Sequence, residues 1–333
     1  MKNVICLVIV LLLMGWATAV STSPSETIPT TAIPIAPTIT PFPPGSTIQF
    51  AIIGDYGHNS ASEAAVATLV ASWKPDFVIA TGDSNYNDGE ASTIDANIGQ
   101  YYSDFIGNYK GIYGNGSPTN RFWPSLGNHD WRSLTCNIHG CTGPYFDYFT
   151  LPGNERYYEL DFGSIHLFAL NSDSSEPDGN DVDEPQALWL QSTLAASDAC
   201  FQLVYFHHPP YSSGQHGNHD DMMWPFAAWG VDAVVSGHDH NYERMMFEGI
   251  PYYVNGSGGR NLRSFSNINN LPPGVTSVVR YNEAYGAMLV TVSDQTMVLQ
   301  FFNTDQELID EYSINHDNCS MSPTAVPIPT LES

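Results

Sequence analysis

The sequence predicts an α/β (α+β) fold in which two packed, mixed β-sheets are flanked by helices. Three observations predict it. A strand–helix–strand pattern opens the folded region, and short apolar runs alternate with helical stretches through its middle. Three alternating strands then close it. The first pattern demands parallel pairing and the last antiparallel pairing, so both sheets must be mixed.

Residues 1–20 read as a signal peptide. Lys2 is the only charge before the apolar run from Val4 to Met14, and Ala17-Thr18-Ala19 supplies small residues for cleavage. The uncharged run to Val20 is also close to the shortest membrane-spanning length, which leaves an uncleaved anchor as the alternative. Residues 21–46 are rich in Ser, Thr and Pro and read as a linker that cannot bury a core. The folded domain is assigned to 47–318, and 319–333 to a Pro- and Thr-containing tail.

Within the domain, 48–53 reads as a buried strand and 60–73 as a helix capped by Ser60 or Ser62. Pro75 follows, and 77–80 reads as a second, parallel strand. Residues 94–106 suggest another helix, 121–126 a short strand, and 157–160 with 165–170 a hairpin around Phe162-Gly163. Helices are predicted at 185–196, with Leu188, Trp189 and Leu194 inward, and at 222–229. Strands are predicted at 201–206, 233–235, 252–254, 288–292, 297–302 and 311–314.

Five of the apolar runs end in residues of metal-ligand type: Gly54-Asp55, Gly82-Asp83, Gly127-Asn128-His129, Phe206-His207-His208 and Gly237-His238-Asp239-His240. Singly, each is an ordinary polar turn. Ligands of α/β sheets gather beyond the C-terminal strand ends, so five such endings in one chain point to one metal site. Carboxylate, imidazole, amide and phenol donors exclude a thiolate zinc or iron–sulfur site. Tyr86 adds a hard anionic donor suited to Fe3+.

In this order the blocks resemble the purple acid phosphatases, of the small mammalian type, within the calcineurin-like metallophosphoesterases. Their GDxG, GDxxY, GNH, VxxH and GHxH motifs stand here at Gly54-Asp55-Tyr56-Gly57, Gly82 to Tyr86, Gly127-Asn128-His129, Val204 to His207 and Gly237 to His240. The resemblance implies that Asp55, Asp83, Tyr86 and His240 hold a ferric ion. Asp83, Asn128, His207 and His238 would hold a divalent partner (Fe2+, Zn2+ or Mn2+), with Asp83 as the bridge. It implies substrate-facing roles for His129 and for His216, which lies nine residues after His207. The activity implied is a secreted acid phosphatase that cleaves phosphate monoesters by attack of a metal-bound hydroxide. A phosphodiesterase or nucleotidase on the same site, or an inactive secreted binding protein, are the alternatives.

The net charge of −25 argues against nucleic acid and against a stable membrane partner, while the resemblance implies small phosphate esters as the substrates. Of five cysteines, four remain after residue 20. In an exported chain they suggest disulfides, with Cys136–Cys141 and Cys200–Cys319 preferred among three possible pairings. The sequence does not set the oligomeric state.

Overall fold

The computed structural model describes residues 42, 43, 45–137, 140–317 and 319. The signal peptide and nearly all of the linker and tail therefore lie outside the described residues. Among the described residues, no helix is long and apolar enough to cross a membrane.

Among the described residues, fifteen strands form two large sheets and a small hairpin. In chain order they are β1 (Ile48–Ile53), β2 (Phe77–Ala80), β3 (Phe122–Pro124), β4 (Thr135–Asn137), β5 (Gly140–Thr142), β6 (Tyr158–Asp161), β7 (Ile165–Ala169) and β8 (Phe201–Tyr205). Then follow β9 (Ala233–Ser236), β10 (Tyr242–Phe247), β11 (Ile250–Asn255), β12 (Thr276–Tyr281), β13 (Gly286–Val292), β14 (Thr296–Asn303) and β15 (Leu308–Asn315). The first sheet runs β15-β14-β13-β1-β2-β3 and the second β12-β10-β11-β9-β8-β7-β6. Both are mixed, as predicted: β1, β2 and β3 pair in parallel, and β1 meets β13 antiparallel.

The first crossover shows why. Ser60 caps the helix Ala61–Trp73 by accepting from the Glu63 amide, and Lys74 ends it in a left-handed turn before Pro75. Phe50 and Phe77 then stack across the parallel pair at 4.7 Å. Alternation along the central strands of the second sheet splits its side chains between two cores. Leu203 and Val235 face the first sheet. Val204 and Val234 face the helix Pro185–Ala196 together with Trp224 and Phe226.

Several local predictions need correction. Leu188 points outward at 52% exposure, and Gln186, Ala187, Leu190 and Leu194 form the buried stripe. The predicted helix at 222–229 is a 3-10 turn, Asp220–Met222, followed by tight turns. Pro225 has no N–H to give, while Trp224 and Phe226 are drawn into the core. Residues 94–106 are helical but irregular, passing from a π-turn to a 3-10 turn. β10 and β12 were not foreseen. Both preferred disulfides are present, and Cys136 faces Cys141 across the β4–β5 hairpin.

Candidate metal centre

Asp55 follows β1, Asp83 follows β2, Asn128 follows β3, His207 follows β8, and His238 and His240 follow β9. The two sheets present these ends to one another. The Asp55 amide bonds Gly82 O at 3.2 Å, and His207 Nδ1 donates to Thr81 O at 2.9 Å. The His238 amide donates to Asp55 Oδ2 at 2.8 Å. Glycines permit the approach: a Cβ on Gly127 would lie 2.2 Å from Asp83 N, and one on Gly57 would lie 1.7 Å from Ser84 O.

All seven residues predicted as ligands converge. Tyr86 Oη lies 3.1 Å from Asp55 Oδ1 and 3.3 Å from His240 Nε2. His207 Nε2 lies 3.4 Å from Asp83 Oδ1 and 3.1 Å from both Asn128 Oδ1 and His238 Nδ1. Ligand atoms of Asp55, Asp83 and His207 fall within 4.8 Å of one another. Asp83 stands between both groups, since its ligand oxygen lies within 4.8 Å of ligand atoms of both Asp55 and His207.

This donor set fits cations on three counts. With Nδ1 committed to Thr81 O, His207 aims Nε2 at the oxygens of Asn128 and Asp83, 3.1 and 3.4 Å away, so ligand atoms of three kinds face one point. Asp55, Asp83 and His238 all adopt left-handed backbone, at φ of 53°, 53° and 70°. That conformation costs non-glycine residues roughly 1 kcal/mol or more each and gathers at functional sites. Finally, the charges are unbalanced. Burial and the neighbouring Asp83 push Asp55 well above the usual carboxylate range. Burial also pushes at Asp83, but His207 and His129 outweigh it and hold Asp83 below that range. Burial, Asp83 and Asp55 keep the Tyr86 phenol protonated, so phenolate there needs a strong cation. Burial and Arg263 hold His240 down to about 3, which leaves the imidazole neutral and its Nε2 free to donate.

A family model described as calcineurin-like phosphoesterase matches residues 48–242, more than half of the chain. The chain belongs to the calcineurin-like phosphoesterases. Curated relatives include purple acid phosphatase 17 of Arabidopsis thaliana, 26% identical and covering 82% of this chain and 86% of that one. Tartrate-resistant acid phosphatase type 5 of Rattus norvegicus is 27% identical, covering 65% and 73%. Among solved structures, a purple acid phosphatase from yellow lupin (Lupinus luteus) seeds has a TM-score of 0.63 at 19% identity, covering 87% and 58%. A protein described as the anchor in the inner membrane complex of Plasmodium has a TM-score of 0.59 at 18% identity, covering 81% and 89%. The fold alone therefore accompanies more than one role.

In this phosphoesterase the two predicted substrate-facing histidines flank the centre. His129 Nε2 lies 3.9 Å from Asp83 Oδ2, its ring is 4.5 Å from that of Tyr86, and its Nδ1 bonds Asn87 O. The exposed His216 lays its ring 4.2 Å from His238 and bonds Arg263 through Nε2. His207, rather than His208, faces Asp83. His208 still lies within ligand distance of His207 and His238, but its Nδ1 is engaged by Ser172 Oγ at 3.0 Å.

Sequence reasoning missed the supports. Asp239, between His238 and His240, accepts from Ser212 Oγ at 2.5 Å, the His216 amide at 2.8 Å and the Gly217 amide at 3.3 Å. Glu243 takes the Ser213 amide and hydroxyl at 2.9 and 2.7 Å. Asp130 accepts from the Ser84 and Gly127 amides, so it braces both the Asp83 and the Asn128 turns. Asp239 stands inside a quoted motif block and Asp130 directly follows another, and those positions were the available signal.

Proposed function

We propose that the chain is an exported binuclear-metal phosphatase acting on phosphate monoesters. The observation that carries this reading is the convergence of seven hard or borderline donors around Asp83, which stands between Asp55 and His207. Asp55, Tyr86, His240 and Asp83 suit Fe3+, and Asp83, Asn128, His207 and His238 suit a divalent ion such as Fe2+, Zn2+ or Mn2+. Bound ions supply Lewis acidity, which lowers the pKa of a water and offsets charge on the phosphoryl group.

The chain's own residues do the rest. Thr81 O fixes the His207 tautomer, and Asn261 O, 2.9 Å from His240 Nδ1, fixes that of His240. His129 stands beside Asp83, where it can orient the phosphoryl oxygens and hold a proton for the departing alkoxide. His216 approaches from the His238 side. Export accords with the N-terminal segment and with two disulfides, which persist in oxidising compartments. We assign the catalytic domain to 47–318 on the same basis.

The test pairs metal content with two substrates. The reading predicts faster turnover of nitrophenyl phosphate than of bis-nitrophenyl phosphate, and loss of iron and activity together in His240→Ala. Preference for the diester would transfer the site to phosphodiester cleavage. Unchanged turnover in His240→Ala would remove the scheme.

A further inference from the structure

We propose that Arg260 and Arg263 form a second anion subsite beside the metal centre, for a phosphate group that the substrate carries in addition to the one transferred. This inference rests on the phosphatase reading and adds a substrate class to it.

The charge pattern sets the problem. The chain holds 10 Lys and Arg against 35 Asp and Glu, so its cations have carboxylates in excess. Arg132, Arg156, Arg244 and Arg280 each pair with one. Arg121 is taken up by the Asp76 and Asp104 carbonyls. Among the described residues, Arg260 and Arg263 are the arginines whose side chains meet neither a carboxylate nor a backbone carbonyl. Arg260 contacts the His58 ring at 2.7 Å, donates to Asn87 Oδ1 at 3.1 Å, and lies 4.8 Å over the Tyr86 ring. Arg263 donates to His216 Nε2. Both residues are half-buried, where an unpaired charge is costly.

Their placement is built into the centre. The Arg260 amide donates to Asp55 O at 2.9 Å, and the Arg263 amide to His240 O at 2.9 Å. Asn282 Nδ2 holds the Arg263 carbonyl at 3.0 Å. The main chain of each arginine is thus fixed to that of a proposed ligand, while the Arg260 guanidinium lies over the face of Tyr86 and that of Arg263 meets Nε2 of His216. That position suits a neighbouring group of the substrate rather than the phosphoryl between the ions. A guanidinium fork matches two oxygens of a phosphate, whereas imidazole and amide partners leave its charge unanswered.

Calorimetry on the metal-loaded full chain tests this without turnover, using inorganic phosphate and methylenediphosphonate as probes. We expect the wild type to bind the diphosphonate at least about tenfold more tightly than phosphate. Arg260→Gln with Arg263→Gln should remove about tenfold or more of the diphosphonate affinity and at most about threefold of the phosphate affinity, as loss of charge-assisted hydrogen bonds implies. Elemental analysis checks that the centre stays loaded. If the double variant loses metal, the single Arg263→Gln and Arg263→Lys variants give the same comparison, with lysine keeping part of the gap. An undiminished diphosphonate advantage, or equal losses for both probes, would overturn the subsite. Turnover of nitrophenyl phosphate, measured in parallel, reports on the phosphatase reading separately.

Discussion

Asp239→Asn is the most informative single change away from the donor atoms. Asp239 is fully buried, and its hydrogen bonds hold residues 212–217, the loop that presents His216. Oδ1 serves the His216 amide, while Oδ2 serves Ser212 and Gly217. Asparagine keeps one acceptor and puts an N–H2 where the other stood. Its better rotamer retains the Oδ2 pair and sets a donor against the His216 amide. A lost charge-assisted hydrogen bond plus an orphaned buried N–H amounts to about 3 kcal/mol, or roughly 150-fold in the population of the held loop. The effect on rate cannot exceed what His216 itself contributes. Asp239→Asn and His216→Ala should therefore each lower kcat/KM on nitrophenyl phosphate, and the double variant should fall no further than His216→Ala alone. Metal content should stay at the wild-type level in all three. Multiplicative losses in the double variant, or wild-type kinetics in Asp239→Asn, would refute the reasoning.

Other regions carry their own tests. Burial raises Glu63 well above the carboxylate range despite donation from the His58 and Asn59 amides. Its folded pKa thus exceeds its unfolded one, so wild type should lose stability relative to Glu63→Gln as pH rises from about 4.3 toward the raised value. Thermal melts across that window check the sign. The Cys136–Cys141 and Cys200–Cys319 bridges span 5 and 119 residues. Loop-closure entropy then predicts losses of ~2 and ~5 kcal/mol for the respective double serine variants in denaturant unfolding. Gly127→Ala should cut metal content and lower Tm together, read by elemental analysis and thermal melts. Its methyl group would fall 2.2 Å from Asp83 N and 2.3 Å from Asp83 Oδ1, which forces both the main chain and the carboxylate of Asp83 aside.

The parallel strands were legible because they are short and mostly apolar, and β1, β2, β3 and β9 each lead into a glycine. The ligand blocks were legible because each stands at such an ending. β10 escaped because Glu243 and Arg244 interrupt its apolar run. Both are nonetheless buried, Glu243 against Ser213, Ser277 and Arg280, and Arg244 against Asp310. Those partners lie 30 to 66 residues away along the chain, beyond any local pattern. Leu188 misled because helical spacing does not say which stripe meets the sheet, and here the amide of Gln186 takes the inward place by bonding Asn171 O and Gly179 O. The role given to Arg260 and Arg263 depends on which arginines find carboxylates, a property of the folded chain alone.

Metal stoichiometry measured together with a visible spectrum, on protein active toward nitrophenyl phosphate, tests the central claim most directly. The account predicts two ions per chain, one of them iron. It also predicts a broad visible band that bleaches in Tyr86→Phe while the iron remains. Full activity with a single ion per chain, or with none, would contradict it.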